Sequence, residues 1–463
     1  MDKPFYKYIT FYILLFFLFL VFLIIFFGGF KLYDRIKVSQ KRIYDLEQKF
    51  TAYQYDKKLN RLEFENIYLV ELSKIRINRH NYNFKKLQLD QEIMFPAGYV
   101  DIYKDKLIFL SGDGNLFHDK LSNIHNYENE DNLNLAKFDS NLIDVSGVRL
   151  LSEFGGSGLF TSMFVRDTLI SGDDIFVVCN TYKKIDNKIF VNPAILKSKI
   201  DFETNTLEFD FFFKTDQDLL YFTLNENNEI DFIDDKIDFR HSGGRIQKYE
   251  GNKYIYAVPD YGQLGKVENK DSIYGKILLI DLENNYEVLT FGHRNQQGLL
   301  YDKEKKIILS TEHGPSGGDE INLIKKGKGY GWPLISKGID PQVISKDHEG
   351  NNYEEPLYYW KTNPGISQII KIPEDIKKNR AFKAESYLIA SLRGAEAWSG
   401  RSLWNFKINE NNNLSDLTQI YVGDRIRDLA YDKVNEKIIL VLENQISLGI
   451  IDTKKQNLLH NSF

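Results

Sequence analysis

The sequence predicts an all-β fold, a six-bladed β-propeller, preceded by an N-terminal transmembrane helix and a helical stalk. Three observations lead to this prediction: a local pattern that recurs six times, an uncharged apolar run near the N-terminus, and an amphipathic stripe just after it. The chain has 463 residues. One ordinary core stops growing at roughly 250–300 residues, so we expect either two domains or a fold that enlarges by repetition.

The recurring unit is a polar turn of Asp, Gly, Asn or Lys followed by an apolar run that suits a β-strand. The six copies lie at 105–110, 173–178, 252–257, 305–310, 385–390 and 436–441. Repeats at spacings of roughly 50–85 residues are typical of a radial array, and we expect each run to be the inner strand of one blade. The predicted propeller spans 65–463. A pair of β-sandwiches is the alternative that the pattern alone leaves open.

The apolar run covers residues 8–30, which carry no charge and are nearly all Leu, Ile, Phe, Val or Tyr. A bilayer core of about 30 Å needs roughly 20 apolar residues in a helix. We therefore expect residues 1–30 to form one uncleaved membrane anchor. A cleaved signal peptide is the competing interpretation, but its apolar region is usually only about 7–15 residues long and ends at small residues.

The amphipathic stripe follows the anchor and predicts a helical stalk over 31–58. Its apolar residues recur at spacings of three, four and seven: Leu32, Ile36, Ile43, Leu46, Phe50 and Tyr53. This spacing is helical, and the stalk could pair with a second copy or pack on the soluble domain.

Charge and cysteine content narrow the function classes. The net charge of −5 argues against a general nucleic-acid binder, which would carry a basic surface. Cys179 is the single cysteine, so an intrachain disulfide is excluded.

The segments richest in possible chemistry lie between residues 292 and 333. They read Gly-His-Arg-Asn-Gln-Gln-Gly at 292–298, Glu-His-Gly-Pro at 312–315, Asp-Glu-Ile-Asn-Leu-Ile at 319–324 and Gly-Lys-Gly-Tyr-Gly-Trp-Pro at 327–333. A strand here leads into a Gly-Pro loop beside Asp319 and Glu320. Ca²⁺ takes six to eight oxygen ligands at about 2.3–2.6 Å, so the loop is a candidate calcium site. A turn with solvated acids is the alternative.

In this order, the segments closely resemble the glucose/sorbosone dehydrogenase family. Its members are six-bladed quinoprotein aldose dehydrogenases that use pyrroloquinoline quinone (PQQ) and Ca²⁺. The resemblance extends from about Phe95 to the C-terminus, with Gln296 where Pro is usual and Gly329 where Asn is usual. It implies an oxidoreductase that acts on CH–OH groups and transfers a hydride from an aldose sugar or related alcohol to PQQ.

The resemblance also assigns roles to individual residues. His241, in the segment His-Ser-Gly-Gly-Arg-Ile, matches the catalytic base, and Arg294 is placed beside it in the catalytic centre. The implied calcium ligands are the carbonyls of Gly314 and Pro315, with Asp319 near the substrate. The implied cofactor-binding residues are Arg294, Asn295, Arg393, Arg425 and Arg427.

These residue types suit the chemistry. PQQ is a flat tricarboxylate, and guanidinium forks bind carboxylates in two-pronged fashion. Arg425 and Arg427 alternate with Ile426, which predicts that both lie on one face of a strand. Two positions depart from the family pattern: Arg393 replaces Lys of some members, and Arg240 precedes the base where other residues are usual, so the substrate is left open.

Two other classes of protein stay open. One is a non-catalytic propeller that serves as a binding or scaffold module, and the other is a Ca²⁺-dependent propeller hydrolase, which would not need the arginines. The expected partners are a small sugar, an unidentified electron acceptor, the membrane through one helix, and a second copy of the chain in a homodimer. Basic residues after the span favour a cytoplasmic domain, whereas the family works outside the cytoplasm, and we predict an extracytoplasmic, periplasmic propeller.

Overall fold

The computed structural model describes residues 84–89, 97–127, 133–153, 164–233, 237–373, 385–393, 400–443 and 446–453. The anchor predicted at 1–30, the stalk predicted at 31–58 and the predicted start of the propeller at 65 lie outside these ranges. Within the described ranges, no helix is both long enough and apolar enough to cross a membrane.

The first three blades use the N-terminal half of the described chain. Strand β1 (Phe84–Gln88) comes first and belongs to the last blade. Blade I contains β2 (Gly98–Tyr103), β3 (Lys106–Ser111), β4 (Leu116–Lys120) and β5 (Ala136–Lys137). A short parallel pair joins β6 (Asp139–Ser140) to β10 (Thr206–Leu207). Blade II contains β7 (Val165–Ser171), β8 (Asp174–Ile185), β9 (Lys188–Lys199), β11 (Asp210–Phe213), β12 (Leu219–Leu224) and β13 (Ile230–Ile233). Blade III contains β14 (Arg245–Lys248), β15 (Tyr254–Val258), β16 (Lys276–Ile280) and β17 (Tyr286–Phe291).

The other three blades follow in the same manner. Blade IV contains β18 (Gln296–Asp302), β19 (Ile307–Glu312), β20 (Asp319–Ile324) and β21 (Tyr358–Trp360). Blade V contains β22 (Ile366–Ile372), β23 (Ser386–Ser391), β24 (Ser402–Ile408) and β25 (Leu414–Tyr421). Blade VI contains β26 (Ile426–Asp432), β27 (Lys437–Leu442), β28 (Ser447–Asp452) and the early strand β1. Short helices lie in the connections, at Leu121–Asn126, Leu142–Val145, Arg149–Ser152, Phe239–His241, Leu264–Val267 and Glu349–Asn351.

The blades form a closed ring. The innermost strands are β2, β7, β14, β18, β22 and β26, and each packs against the next, with β26 returning to β2. Strand β1 pairs antiparallel with β28, which completes blade VI with a strand from the beginning of the described chain. The prediction of an all-β, six-bladed propeller is therefore confirmed, and the alternative of two β-sandwiches is wrong.

The predicted position of the repeated runs within each blade was wrong by one strand. The six runs form β3, β8, β15, β19, β23 and β27, which are the second strands and not the inner ones. A second strand has a hydrogen-bonded neighbour on each edge and a neighbouring blade on each face, so its sequence is a continuous apolar run. Strands β19 and β23 are accordingly buried at every position. The inner strands border the channel and carry charged residues, so they lack this pattern.

The apolar packing lies between blades. The buried apolar side chains of the described residues form five clusters, each shared by neighbouring blades. One cluster, for example, joins Leu107 and Phe109 of blade I to Ile439 and Val441 of blade VI.

A buried ion cluster fixes the centre of the ring. Arg245 of β14 lies 2.8 Å from a carboxylate oxygen of Asp167 on β7 and 3.1 Å from one of Asp428 on β26. It also donates to the carbonyl of Gln297 on β18 at 2.6 Å, and Asp428 accepts from the amide of Val100 on β2 at 2.8 Å. Five inner strands are tied together in this way. The loops at the ends of these strands therefore start from fixed positions.

Candidate active site

The predicted site residues come together where the inner strands begin. His241 lies four residues before β14, Arg294 and Asn295 directly precede β18, and Arg425 directly precedes β26. Because these are equivalent positions in different blades, the ring brings residues far apart in sequence to one mouth of the channel.

His241 ends a short helical turn, Phe239–His241, that the Asp238 side chain caps by accepting from the amide of Arg240. Its Nδ1 lies 3.3 Å from Asp260 Oδ1, and its Nε2 contacts Arg294 Nη2. A guanidinium can only donate a hydrogen bond, so Nε2 must accept and Nδ1 carries the proton toward Asp260. In this arrangement Nε2 lies against the guanidinium of Arg294, and Nδ1 lies against the carboxylate of Asp260.

Asp260, which the sequence analysis did not single out, is fully buried beneath the imidazole. Its Oδ2 accepts from the indole of Trp332 at 2.6 Å, and its Oδ1 accepts from the amide of Gly262 at 2.8 Å. The signal available in the sequence is weak: a Pro-Asp-Tyr-Gly turn directly after an apolar strand. The contact also gives Trp332 of the Gly-Trp-Pro segment a structural role, because its indole N–H holds Asp260 in place.

Arg294 connects His241 to the Gly-Pro loop. Its Nη1 donates to the carbonyls of His313 at 3.1 Å and Gly314 at 3.0 Å, and its guanidinium lies over the ring of Trp332 at 5.2 Å. Burial lowers the pKa of Arg294. Its Nε is shielded from solvent and has no hydrogen-bond partner among the described residues. The group is thus a buried cation that contacts carbonyls and can still bind an anion.

Asn295 holds the turn that carries His241. Its amide nitrogen donates to the carbonyl of Arg240 at 3.0 Å, and its amide oxygen accepts from the amide of Gly243 and from Gln297 Nε2, both at 2.9 Å. The side chain is buried and already committed to these contacts. The predicted cofactor ligand Asn295 thus contacts the turn that carries His241.

The Gly-Pro loop is shaped from behind by Asp319. One oxygen of this carboxylate accepts from the amide of Gly314 at 3.1 Å, and the other accepts from the amides of Gly365 at 2.7 Å and Ile366 at 3.3 Å. Burial raises the pKa of Asp319 to about 7. The residue predicted near the substrate thus lies beneath the loop, where it fixes the loop's path.

The predicted calcium ligands occupy this loop. A Cβ on Gly314 would lie 2.2 Å from the carbonyl oxygen of Gly317, so only glycine fits, and Pro315 packs beside Gly338. The carbonyl of Gly314 points to Arg294, inside a pocket of about 240 Å³ that Trp332 also lines. Among the described residues, no group of three or more His, Cys, Asp or Glu side chains could hold a metal, so a cation here would rely on backbone carbonyls.

The other predicted arginines meet across blades V and VI. Arg425 donates through Nε to Glu443 at 3.0 Å and through Nη1 to the carbonyl of Leu392 at 3.0 Å. Arg427 binds the second oxygen of the same Glu443 through its Nε, so both guanidiniums lie on one face. Arg393 follows Leu392 and is exposed. Sequence reasoning missed Glu443, which is buried in the hairpin opposite these arginines.

The fold and the site define a class: a six-bladed β-propeller whose channel mouth gathers a histidine, a buried aspartate and several arginines. Residues 226–448 match the model of the glucose/sorbosone dehydrogenase family, described as Glucose / Sorbosone dehydrogenase. The resemblance seen in the motifs is therefore confirmed over these residues, which make up just under half of the chain.

Curated relatives cover the same region. The chain is 30% identical over 232 residues to an uncharacterized protein of Synechocystis sp., covering 44% of this chain and 54% of that protein. It is 31% identical over 148 residues to an aldose sugar dehydrogenase of Escherichia coli, covering 27% and 39%. It is 32% identical over 127 residues to quinoprotein glucose dehydrogenase B of Acinetobacter calcoaceticus, covering 21% and 26%. The matches thus span about half or less of the length of these relatives.

Solved structures share the fold over most of the propeller. The soluble aldose sugar dehydrogenase of Escherichia coli in its apo-form superposes with a TM-score of 0.57 at 18% identity, covering 80% of this chain and 99% of that one. The PQQ-bound aldose sugar dehydrogenase of Streptomyces coelicolor gives a TM-score of 0.53 at 18% identity, covering 80% and 98%. At this identity the likeness shows the fold alone.

Proposed function

We propose that this chain is a PQQ- and Ca²⁺-dependent dehydrogenase that oxidises an aldose sugar or related alcohol, with His241 as general base. One observation carries the proposal: His241 Nε2 contacts Arg294 at the channel mouth while Nδ1 is held by Asp260. The names of two relatives, an aldose sugar dehydrogenase and a quinoprotein glucose dehydrogenase, support the same chemistry.

The arginines at the mouth fit a flat tricarboxylate. Arg294 has a buried Nε without a partner among the described residues, and Arg393 is exposed. Arg425 and Arg427 share one carboxylate, Glu443, so two cations are balanced by one anion. Guanidinium forks suit carboxylate recognition, and we assign these four arginines to the cofactor, with Asn295 holding the turn beside them.

The Gly-Pro loop fits a hard cation. The carbonyl of Gly314 lies in the site, and Asp319 holds the loop that presents the carbonyls of Gly314 and Pro315. Backbone carbonyls are ordinary Ca²⁺ ligands, and calcium there would act as a Lewis acid. When bound, PQQ supplies the hydride acceptor.

The chain itself handles the proton. The sugar hydroxyl takes the place of Arg294 at His241 Nε2, and Nε2 accepts the hydroxyl proton. Asp260 keeps the other ring nitrogen protonated and stabilises the imidazolium that forms. Arg294 then donates to the same substrate oxygen. The protein thus orients the alcohol and removes its proton at one atom, Nε2.

The test uses the full chain supplied with PQQ and Ca²⁺ and follows dye reduction with a panel of aldoses. Replacing His241 by Gln should lower kcat by about 10²- to 10⁴-fold, the usual contribution of a general base, while PQQ affinity stays near that of the wild type. His118→Gln, which alters a histidine hydrogen-bonded to Asn205 in blade I, is the control and should leave kcat unchanged.

Two results would count against the proposal. Absence of tight PQQ binding would exclude the dehydrogenase and favour a non-catalytic propeller. Full activity in His241→Gln would remove the role assigned to this residue.

A further inference from the structure

Four inner strands carry a β-bulge close to where they begin. The register shifts between Val165 and Asp167 in β7, between Gln296 and Gly298 in β18, between Ile366 and Ile369 in β22, and between Ile426 and Asp428 in β26. The extra residues are Arg166, Gln297, the pair Ser367 and Gln368, and Arg427. A bulge re-aims a side chain and often lies beside an active site. Arg427 in blade VI and Arg166 in blade II are therefore each the extra residue of a β-bulge.

The two bulges match in sequence as well. Arg166-Asp167 and Arg427-Asp428 are the same dipeptide at the same place in their strands. Both aspartates bind the central Arg245. Because each aspartate is used inside the ring, neither balances the arginine that precedes it.

Arg166 is half-buried and, within the described ranges, lacks the carboxylate partners that Arg245 and Arg427 have. Arg245 has two carboxylates and Arg427 has Glu443, whereas Nε and Nη2 of Arg166 are shielded from solvent with no hydrogen-bond partner among the described residues. The groups that act on it electrostatically are the hydroxyls of Tyr99, Tyr182 and Tyr261 and the cation of Arg427. Burial lowers the pKa of Arg166, and Arg427 lowers it further. Residues 154–163, just before β7, include no Asp or Glu.

Shielding part of a guanidinium from water without an anion to offset its charge is unfavourable. Binding of an anion from solution would offset this unfavourable charge. The position of Arg166 indicates what kind of anion binds. Strand β7 lies between β2 and β14 in the ring, His241 lies four residues before β14, and a Cβ on Gly244 would lie 3.6 Å from the Cβ of Arg166. The arginines assigned to the cofactor come from blades IV, V and VI. Arg166 therefore lies in the strand next to the one that His241 precedes, on the side of the channel where the proposed base would meet a sugar.

We propose that Arg166 is a specificity-determining residue that binds an anionic substituent of the sugar, so that the chain prefers acidic sugars over neutral ones. The oxidation step rests on the proposed function, but the binding preference does not. A carboxylate, as in a uronic acid, matches the planar guanidinium fork, and a sugar phosphate also carries a negative charge. Binding measurements distinguish these two kinds of ligand.

Calorimetry on the cofactor-free full chain compares glucuronate, glucose 6-phosphate and glucose. At least one anionic sugar should bind about tenfold or more tightly than glucose, as a charge-assisted hydrogen bond provides. Arg166→Gln should weaken that binding by about 10- to 100-fold and leave glucose binding unchanged, and Arg166→Lys should restore part of it. In the PQQ-loaded protein, the same preference should appear in KM. Arg149→Gln, at an exposed arginine paired with Asp144, is the control and should change nothing.

Equal binding of the three sugars by the wild type, which requires no variant to fold, would overturn the inference. Survival of the preference in Arg166→Gln would also overturn it. If the chain prefers anionic sugars but does not bind PQQ, the role of Arg166 is supported and the proposed dehydrogenase is rejected. If the chain oxidises sugars but shows no such preference, the dehydrogenase is supported and the role of Arg166 is rejected.

Discussion

At the residue scale, the proposed base, His241, depends on a carboxylate that comes from another part of blade III. Asp260 fixes the proton on Nδ1 of His241 and leaves Nε2 free to accept. An amide in its place could donate to Nδ1 and would shift the proton to Nε2. Asp260→Asn should therefore lower kcat by about 10²-fold or more, as in other aspartate–histidine pairs, while PQQ binding is retained. Steady-state kinetics with dye reduction measures this.

The matched control is Asp238→Asn, at the other carboxylate near the imidazole, 3.7 Å from Nε2. Its amide keeps an oxygen to cap the turn, so kcat should change far less than in Asp260→Asn. Equal losses of kcat in Asp238→Asn and Asp260→Asn would show that nearby negative charge matters and that the position of the proton on the His241 ring does not.

The same scale shows what the sequence could predict. His241, Arg294, Arg425 and Arg427 stand in segments that resemble those of the family, and the ring brings these segments to one mouth. Asp260, Glu443 and Arg166 could not be found in that way. Asp260 and Glu443 stand out only through the side chains that they contact, and Arg166 stands out only because two of its nitrogens lack a partner among the described residues. These contacts join residues that are far apart in sequence, so local patterns do not indicate them.

At the element scale, the repeated pattern predicted the number of blades correctly. It did not predict the position of the repeated strand, which is the second strand of each blade and not the inner one. A continuous apolar run identifies the most enclosed strand of a blade, such as Ile307–Glu312. The strand that carries function is the inner one, such as Ile426–Asp432, where charged residues interrupt the apolar pattern. Bulges further break its two-residue alternation, so periodicity is weakest where the site is built.

The Gly-Pro loop yields a prediction at this scale. Gly314→Ala would place a methyl group 2.2 Å from the carbonyl oxygen of Gly317 and 2.4 Å from that of Gly318, so the loop must move. Overpacking of this kind costs about 1–3 kcal/mol. The Ca²⁺ concentration for half-maximal reconstitution with PQQ should rise by about tenfold or more, as measured by titration of activity and PQQ absorbance.

Gly265→Ala is the control for this change, because a Cβ there meets nothing within 4 Å. It should leave the Ca²⁺ titration unchanged. An unaltered titration in Gly314→Ala would show that this loop does not hold the cation.

At the scale of the whole molecule, the ring closes between blades I and VI. Phe84–Gln88 pairs with 447–451, residues from opposite ends of the described chain. Local sequence signals contain no information on such a distant pairing, so the closing strand was not predicted. Across the same junction, His125 Nε2, in the connection between β4 and β5 of blade I, lies 2.7 Å from Asp432 Oδ2 of blade VI, and both side chains are buried.

This junction predicts an acid-sensitive step in stability. Burial alone would raise the pKa of Asp432, but hydrogen bonds from His125 and Asn435 outweigh it and lower the pKa from 3.8 to about 2. Because the folded-state pKa lies below the unfolded one, the ionised carboxylate stabilises the ring above about pH 4, and this contribution is lost as pH falls toward 2. We expect a loss on the order of 1 kcal/mol in the free energy of unfolding, measured by urea denaturation at pH 5, 4 and 3. Asp432→Asn, which keeps the oxygen that caps the following turn, should flatten this dependence, and Asp216→Asn at an exposed carboxylate should not. Parallel losses in the wild type and Asp432→Asn would mean that the ring is held closed by its β-strand pairing and apolar packing, with no contribution from this ion pair.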